Sequence, residues 1–397
     1  MMKNSNRKIY ILQGFYFFAF FGSGSLLPLL SVYLKNSIGL SGFEIGIIMS
    51  IGPVITIFFQ PIWGMLSDKT NSPSTILKLC TFFAGIFSLG YLFFDTFVLI
   101  LLTAIILAVF QSAIVPISDS ITIKYTSENN LDYGHIRMFG ALGFGIAVFI
   151  MGKLSDIQPN VIFFAFFMSL LICSFSTNKM PKAKATTNKN PFKGIKELLV
   201  HKKYMLFLAI TFMIFSPNLA NNTFFGLFVE NSGGTYTGIG IAFLIAVLSE
   251  VPFMSIAGRW ISKFGMLEIT LLAGILSLVR WIFYFLEPNL MLIYTTAFLQ
   301  GFGVGLFIPA ALQYVKKIAP VHMMATAITF YSAIGNGLGN WFNTFLGGFI
   351  FDQYSIFSVY LFFSMLTAVG IVLNIFLLKQ EKMEKYPKKR GVLHSVE

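Results

Sequence analysis

The stretch FVLILLTAIILAVFQSAIVPISDSIT, residues 97–122, decides the fold of this chain. It is apolar along nearly its whole length and exceeds the roughly 20 residues with which a helix crosses a bilayer. A segment of this kind is typical of a transmembrane helix. Its one charged side chain, Asp119, is costly within a bilayer and is therefore a candidate functional residue.

Eleven more apolar stretches fill almost all of the remaining chain. The composition agrees, because 56% of the residues are hydrophobic and only 11% are charged, whereas about a quarter of a soluble domain is charged. We therefore predict an all-α membrane protein with twelve transmembrane helices, and no enzyme, since no room remains for a soluble catalytic domain. The predicted spans are 9–34, 42–66, 75–94, 97–122, 136–154, 160–178, 203–229, 236–258, 266–286, 290–314, 322–350 and 355–378.

Lysine and arginine are distributed unequally between the two sides of this topology. Of the 28 basic residues, 25 lie on the side that carries both termini, Lys35 and Lys153 lie opposite, and Arg280 lies within a span. Because basic loops remain in the cytoplasm, we predict a multi-pass protein of the plasma membrane with both termini cytoplasmic. Topology and attraction to the lipid bilayer explain the net charge of +12, so we expect no nucleic-acid partner.

The chain divides into two halves that repeat each other. The longest polar segment separates six spans from six, and an offset of 194 residues maps Ile45-Gly46-Ile47 onto Ile239-Gly240-Ile241. Duplicated six-helix units place a solute site between the halves, near the bilayer midplane. The predicted organisation is an N-terminal six-helix bundle at 1–178, a cytoplasmic linker at 179–202, a C-terminal six-helix bundle at 203–378 and a basic cytoplasmic tail at 379–397.

The remaining chemistry of the chain excludes several function classes. It contains no Gly-Lys phosphate loop, which leaves ATP-driven transport without support. Its two cysteines, Cys80 and Cys173, both lie in apolar spans, and its four histidines lie at loops or ends. This pattern supports neither a metal site nor a disulfide framework, and we expect no cofactor.

Residues 64–69, GMLSDK, cover the end of the second predicted span and the loop after it, and they resemble the loop signature of the major facilitator superfamily. In that family the glycine lets two helices approach closely, and the aspartate sits at a helix end. The resemblance implies a cytoplasmic gate formed by Gly64, Asp68 and Lys69. The later glycine and basic pair of the signature are missing, and the alternative is an ordinary capped loop.

A second stretch narrows the resemblance to one branch. YGHIRMFGALG, residues 133–143, together with Asp119, resembles the lactose-permease-like proton symporters and their nucleoside and phenylpropionate relatives. FFQPIWGMLSDK, residues 58–69, and LLAGILSLVR, residues 271–280, strengthen this resemblance, which covers nearly the whole chain. It implies the major facilitator fold, with twelve transmembrane helices arranged as two six-helix repeats.

The resemblance also implies solute-binding residues in the first half. In the sugar symporters, the residues that match Asp119 and Arg137 bind sugar hydroxyls, which suits a carboxylate acceptor and a forked guanidinium donor. The aromatic residue that stacks on the sugar ring would be Phe144. The alternative is a structural ion pair that ties the fourth helix to the fifth, and both roles are compatible.

Two charged residues lie in neighbouring spans of the second half. Glu250 and Arg280 are each costly in a bilayer and are candidates for proton coupling. Arg280 matches the coupling arginine of the symporter branch, whereas Glu250 stands three residues out of register. The titratable pair in helix 10 of that branch is replaced here by Gln300 and Gly303, so coupling would rest on Glu250 or Asp119. A purely structural Glu250–Arg280 pair is the alternative.

Amide side chains on two spans are further candidates. They suit a hydroxyl-rich or nucleobase solute because an amide both donates and accepts hydrogen bonds. Hydrogen bonding between helices is the alternative for each of them. Together with Gln300, the candidate solute-binding amides are Asn218, Asn221 and Asn222, which share a helix face, and Asn336 and Asn340.

These observations predict a secondary active transporter. We expect proton-coupled symport of a small polar solute, sugar-like or nucleoside-like, by alternating access, and we expect a monomer. Two alternatives stay open. The abundance of phenylalanine, 47 residues, would suit a proton-driven exporter of amphipathic compounds, and a non-transporting membrane sensor would share the same architecture.

Overall fold

The computed structural model describes residues 2–181, 195–320 and 323–385, and every regular element in these ranges is helical. Two short π-helices lie at Leu34–Ile38 and Ala333–Gly339, and a short α-helix lies at Ile195–Val200. The long helices are α1 Met2–Tyr33, α2 Gly42–Thr70, α3 Pro73–Ser88 with Gly90–Phe93, α4 Phe97–Glu128, α5 Tyr133–Ser155, α6 Val161–Thr177, α7 Lys202–Ile214 with Ser216–Asn231, α8 Tyr236–Phe264, α9 Met266–Phe285, α10 Leu290–Thr296 with Phe298–Ile318, α11 Met324–Ser332 with Asn340–Gln353, and α12 Ile356–Lys385.

Ten of these helices are long and apolar enough to cross a membrane. The other two are α6, which has 17 residues, and α11, which the π-helix divides. The predicted all-α membrane fold is confirmed, and the twelve long segments are consistent with the twelve predicted spans. Most of the predicted linker and tail lies outside the described residues.

Helix α2 shows how local sequence sets the helix ends. Ser41 and Glu44 form a capping box, in which the Ser41 hydroxyl accepts from the Glu44 N–H at 3.2 Å and the Ser41 N–H donates to the Glu44 carboxylate at 2.9 Å. The helix runs on to Thr70 and ends at Asn71, whose backbone is left-handed. Residues 64–69 therefore form the last turns of α2. The prediction of a loop there is wrong, because hydropathy marks where a helix leaves the bilayer and not where it ends.

The two halves meet through α2 against α11 and through α5 against α8. We call the side that carries the start of α1 the terminal face, and the side that carries the α1–α2 connection the opposite face. Glycines allow close contact near the opposite face. A Cβ added to Gly46 would lie 2.7 Å from the Cα of Gly348, and one added to Gly240 would lie 2.7 Å from the Val148 carbonyl oxygen.

Toward the terminal face the same helices stand apart. A Cβ added to Gly64 in α2 or to Gly258 in α8 would meet no atom within 4 Å. The buried apolar residues follow this asymmetry. One cluster is continuous across both halves near the opposite face and includes Leu29 and Phe228, whereas the terminal-face part of the second half has a separate cluster that includes Tyr314.

Polar contacts also join the halves at the opposite face. The Lys35 ammonium lies 2.8 Å from the Glu230 carboxylate. Asp156, which follows α5, accepts from the backbone N–H groups of Tyr236 and Thr237 at 2.8 and 3.2 Å, and from the Thr237 hydroxyl at 2.5 Å. The first N–H groups of a helix have no partner within it. One half therefore caps a helix of the other, which favours closure of this face.

We predict that Asp156→Ala loosens the opposite face. Loss of a capping acceptor costs about 1 kcal/mol, which corresponds to a roughly fivefold shift in an equilibrium. A Val32→Cys reporter, placed at a residue that is 1% exposed at the opposite-face end of α1, should then react several times faster with a thiol reagent in detergent solution. The native Cys80 and Cys173 are buried and contribute little background. Asp95→Ala, an exposed site in the α3–α4 connection, serves as control, and equal rates for both variants would contradict the prediction.

Candidate functional site

The first half places a polar cluster on α1, α4 and α5. The Tyr16 hydroxyl donates to Oδ1 of Asp119 at 2.6 Å, and Nε of Arg137 lies 3.5 Å from the same oxygen. The side chains of Asp119 and Arg137 are 27% and 31% exposed. The predicted pair is therefore formed, and solvent or a solute still has access to both charged groups.

Aromatic rings hold the Arg137 guanidinium in place. Its central carbon lies 4.2 Å from the ring centre of Phe20 and 5.3 Å from that of Tyr16. Such cation–π contacts orient the guanidinium while leaving its N–H donors available. Phe144 lies two helical turns further along α5, its backbone packs against Gly24 of α1, and its side chain is partly buried.

The start of α5 is fixed by a local cap outside the membrane. The Asp132 carboxylate accepts from the Gly134 N–H at 2.8 Å and contacts the His135 ring at 2.9 Å. The hydrogen bond from Gly134, followed by the one from His135, holds the pKa of Asp132 below its usual range. The carboxylate is thus charged at the positive end of the helix, one turn before Arg137.

The second half places a buried arginine among amides. Arg280 is 1% exposed, and its two terminal nitrogens donate to Oδ1 of Asn218 at 2.9 Å and to Oε1 of Gln300 at 3.2 Å. The guanidinium also stacks on the Trp281 ring, 4.1 Å from its centre. These contacts compensate in part for removing the charge from water.

The amide network extends from Arg280 across α7, α10 and α12. The Asn221 amide donates to Gln300 at 3.2 Å, and Gln300 donates to Asn222 at 3.3 Å. The Tyr360 hydroxyl donates to Asn221 at 3.1 Å. Asn218, Asn221, Asn222 and Gln300 are thus brought together as one network, with Asn222 and Gln300 at its more accessible edge.

Glu250 does not join this network. Among the described residues it has no hydrogen bond or ion pair, and it is only half-buried. At 1.5 Å per residue, Glu250 lies about 21 Å along α8 from the end of that helix at the opposite face. Arg280 lies only about 8 Å along α9 from the opposite face, so the two side chains differ in depth. The structural Glu250–Arg280 pair, considered as an alternative, is therefore absent from this conformation.

The amides of α11 use partners within their own helix. Asn336 is exposed and donates to the Ser332 hydroxyl at 2.9 Å, and Asn340 accepts from the Thr344 hydroxyl at 3.2 Å. Asn336 lies within the π-helix at Ala333–Gly339, and Asn340 directly follows it. The structure does not bring these two amides to the Arg280 network.

The candidate gate residues lie on the last turns of α2. Asp68 is half-buried and Lys69 exposed. Within the described part of the chain neither side chain has an ion-pair partner, and Gly64 faces open space. Gly64, Asp68 and Lys69 thus lie at the terminal face, where the helices of the two halves are apart.

Four partners of the site escaped the sequence analysis, namely Tyr16, Phe20, Trp281 and Tyr360. Tyr16 and Phe20 stand four residues apart on α1, a spacing that places both on one face toward Asp119 and Arg137. That spacing is a weak signal in a chain with 15 tyrosines and 47 phenylalanines. Tyr360 lies 139 residues from its partner Asn221, and no local pattern marks it.

Comparison with known proteins places the chain in a family. The sequence model of the MFS_1 like family, part of the major facilitator superfamily, matches residues 9–362. The chain is 52% identical to the uncharacterized transporter YwbF of Bacillus subtilis (strain 168), over 94% of each chain. It is 43% identical to the maltose permease of Geobacillus stearothermophilus, over 93% of this chain and 94% of the permease.

A solved structure agrees on the fold. The crystal structure of the nucleoside transporter NupG superposes with a TM-score of 0.83 at 16% identity, over 94% of this chain and 99% of NupG. At that level of identity the likeness concerns the fold alone. With the family match over most of its length, this chain belongs to the MFS_1 like family and is a multi-pass membrane transporter rather than an enzyme.

Proposed function

We propose that this protein imports a small polar solute together with protons across the plasma membrane, as a monomer with both termini in the cytoplasm. The solute class we favour is sugar-like, with nucleosides as the neighbouring class. The maltose permease at 43% identity supports a sugar, and the basic residues on the terminal side support the orientation.

One observation carries this proposal. Each half holds a polar cluster at the equivalent helices of the repeat, since Tyr16 and Asp119 lie on α1 and α4, while Asn222 and Gln300 lie on α7 and α10. Repeated units of transporters place the solute between equivalent helices near the midplane. Polar groups within a transmembrane bundle are costly unless they serve a ligand or one another.

The chemistry of the two clusters suits a solute rich in hydroxyl groups. Asp119 supplies acceptors, Arg137 supplies a forked donor, and Asn222 and Gln300 can do both. The Phe20 ring, which lies against the Arg137 guanidinium, offers an apolar surface beside the first cluster for the carbon skeleton. An amphipathic exporter would not need a carboxylate–guanidinium pair that remains partly exposed.

Proton coupling is assigned to Glu250. A half-buried carboxyl without a partner among the described residues exchanges a proton with the aqueous pathway more readily than one held in an ion pair. Gln300 and Gly303 cannot titrate near neutral pH. Arg280 keeps the polar cluster of the second half positively charged whatever the protonation state of Glu250. Asp119 is the second candidate for the proton-carrying carboxyl.

Alternating access follows from the asymmetry of the inter-half contacts. With the terminal face in the cytoplasm, this structure represents an inward-facing state, since the opposite face is packed and capped. Gly64 and Gly258 then serve a second state, in which α2 and α8 approach the other half at the cytoplasmic side. Asp68 and Lys69 would meet their partners in that state.

The test is solute uptake into proteoliposomes that contain the purified protein. An imposed inward proton gradient should drive accumulation of at least one compound from a panel of maltose, other oligosaccharides and nucleosides, and a protonophore should abolish it. Dye extrusion under the opposite gradient would identify an exporter. Absence of flux across the whole panel would contradict the proposal and favour a sensor.

A second prediction concerns solute binding at the first cluster. Asp119→Asn and Arg137→Lys should each weaken solute affinity by tenfold or more, because a charge-assisted acceptor or the forked donor geometry is lost. Affinity is measured by equilibrium binding to purified, monodisperse protein. Arg259→Lys, at an exposed position of α8, is the control. Unchanged affinity in folded variants would exclude contact with the solute, whereas loss of folded protein would identify a structural pair.

The third prediction concerns coupling at Glu250. Glu250→Gln mimics the protonated carboxyl, so it should abolish accumulation against a solute gradient while leaving exchange of solute at equal concentrations intact. Exchange needs no deprotonation, whereas net proton-driven uptake does. A membrane potential contributes about 2.3 kcal/mol per charge per 100 mV, so proton-driven accumulation of the solute is large enough to measure. If the variant still accumulates solute, the prediction is contradicted and the coupling role passes to Asp119. Glu128→Gln, at the exposed end of α4, is the control.

A further inference from the structure

A groove of about 520 Å³ lies between the end of α8 and the start of α9, at the terminal face. None of its lining residues belongs to either polar cluster, and it has no part in the proposed transport pathway. Its walls are mainly apolar. The lining residues are Trp260, Lys263 and Phe264 on α8, and Glu268, Ile269 and Leu272 on α9.

The charges of this groove are unbalanced. Glu268 is paired with Lys382 of α12, whose ammonium lies 3.3 Å from the carboxylate. Lys263 is exposed, lies 5.1 Å from the centre of the Phe264 ring, and has no ion-pair partner among the described residues. Arg259, one turn earlier on the same side of α8, is also exposed and without an ion-pair partner in the described ranges. The rim therefore presents free positive charge beside an apolar floor.

The aromatic lining adds a second feature typical of a membrane interface. Trp260 packs its ring against Phe264 and Phe302, with centres 6.3 and 6.1 Å apart. Its indole N–H has no hydrogen-bond acceptor among the residues that the structure describes. Tryptophan prefers the headgroup level, where its ring contacts acyl chains and its N–H reaches an ester or phosphate oxygen.

We propose that this groove binds an anionic phospholipid. The acyl chain lies along the exposed Phe264 and the partly exposed Leu272, and the phosphate meets the Lys263 ammonium. Charge complementarity favours an anionic lipid, because the one carboxylate of the groove is already paired. The assignment to the cytoplasmic leaflet rests on the proposed orientation of the termini, whereas the binding itself does not.

The experiment measures tryptophan quenching in nanodiscs of phosphatidylcholine that contain an increasing fraction of brominated phosphatidylglycerol. The signal of Trp260 is isolated by subtracting the response of Trp260→Phe. The wild type should be quenched at a low fraction of the anionic lipid and much less by brominated phosphatidylcholine at the same fraction. Lys263→Gln should require about fivefold more phosphatidylglycerol, the change expected for about 1 kcal/mol per basic residue near an anionic lipid surface.

Lys316→Gln is the matched control, since it removes an exposed charge at the terminal face outside the groove and should leave the quenching curve unchanged. Equal quenching by the two brominated lipids would overturn the preference for anionic lipid. Absence of any quenching specific to Trp260 would overturn the site. If Lys263→Gln does not fold, the comparison of the two lipids on the wild type still decides. Because no flux is measured, the result is independent of the transport assay.

Discussion

A guanidinium inside a bilayer must find its partners within the protein, and both halves of this structure are organised around that constraint. Arg280 is 1% exposed and is held by two amides and an indole face. A hydrogen bond to a charged group typically contributes about 1.5–3 kcal/mol. The positions of α7, α9 and α10 relative to one another are therefore tied to the placement of one side chain.

The two arginines meet the constraint in different ways. Arg137 contacts a carboxylate and remains 31% exposed, so the first cluster is neutral and accessible. Among the described residues Arg280 has only neutral partners, and its Nε has no hydrogen-bond acceptor, so the second cluster carries a net positive charge. A neutral solute between them would meet a dipolar site in one half and a positive one in the other. Under the proposed mechanism, ionised Glu250 would then be stabilised by the field of Arg280 and protonated Glu250 would not.

The sequence predicted the features that depend on local composition. Span positions follow from apolar length, and the repeat follows from a constant offset, so the residues alone were enough to predict the all-α membrane fold. The transporter class was predicted from the resemblance of residues 64–69, 133–143 and 271–280 to a known family. Contacts between distant helices could not be predicted in this way. Periodicity shows that Asn218, Asn221 and Asn222 share a face, but only the packing of α12 on α7 reveals Tyr360 as a partner. Asn336 lies within the π-helix of α11 and donates to Ser332 of its own helix, and no composition signal marks that π-helix.

The repeat also explains why the inter-half contacts are one-sided. Gly46 and Gly64 in α2 stand at the same offset of 194 residues from Gly240 and Gly258 in α8, so each helix carries a small residue at both ends. Only Gly46 and Gly240, the two glycines near the opposite face, are packed against the other half. Two nearly rigid bundles joined at one face diverge at the other, and closing both faces at once would require bending helices whose backbone hydrogen bonds have no substitute in lipid. Small residues at both ends are therefore consistent with two alternative contacts, of which this structure holds one.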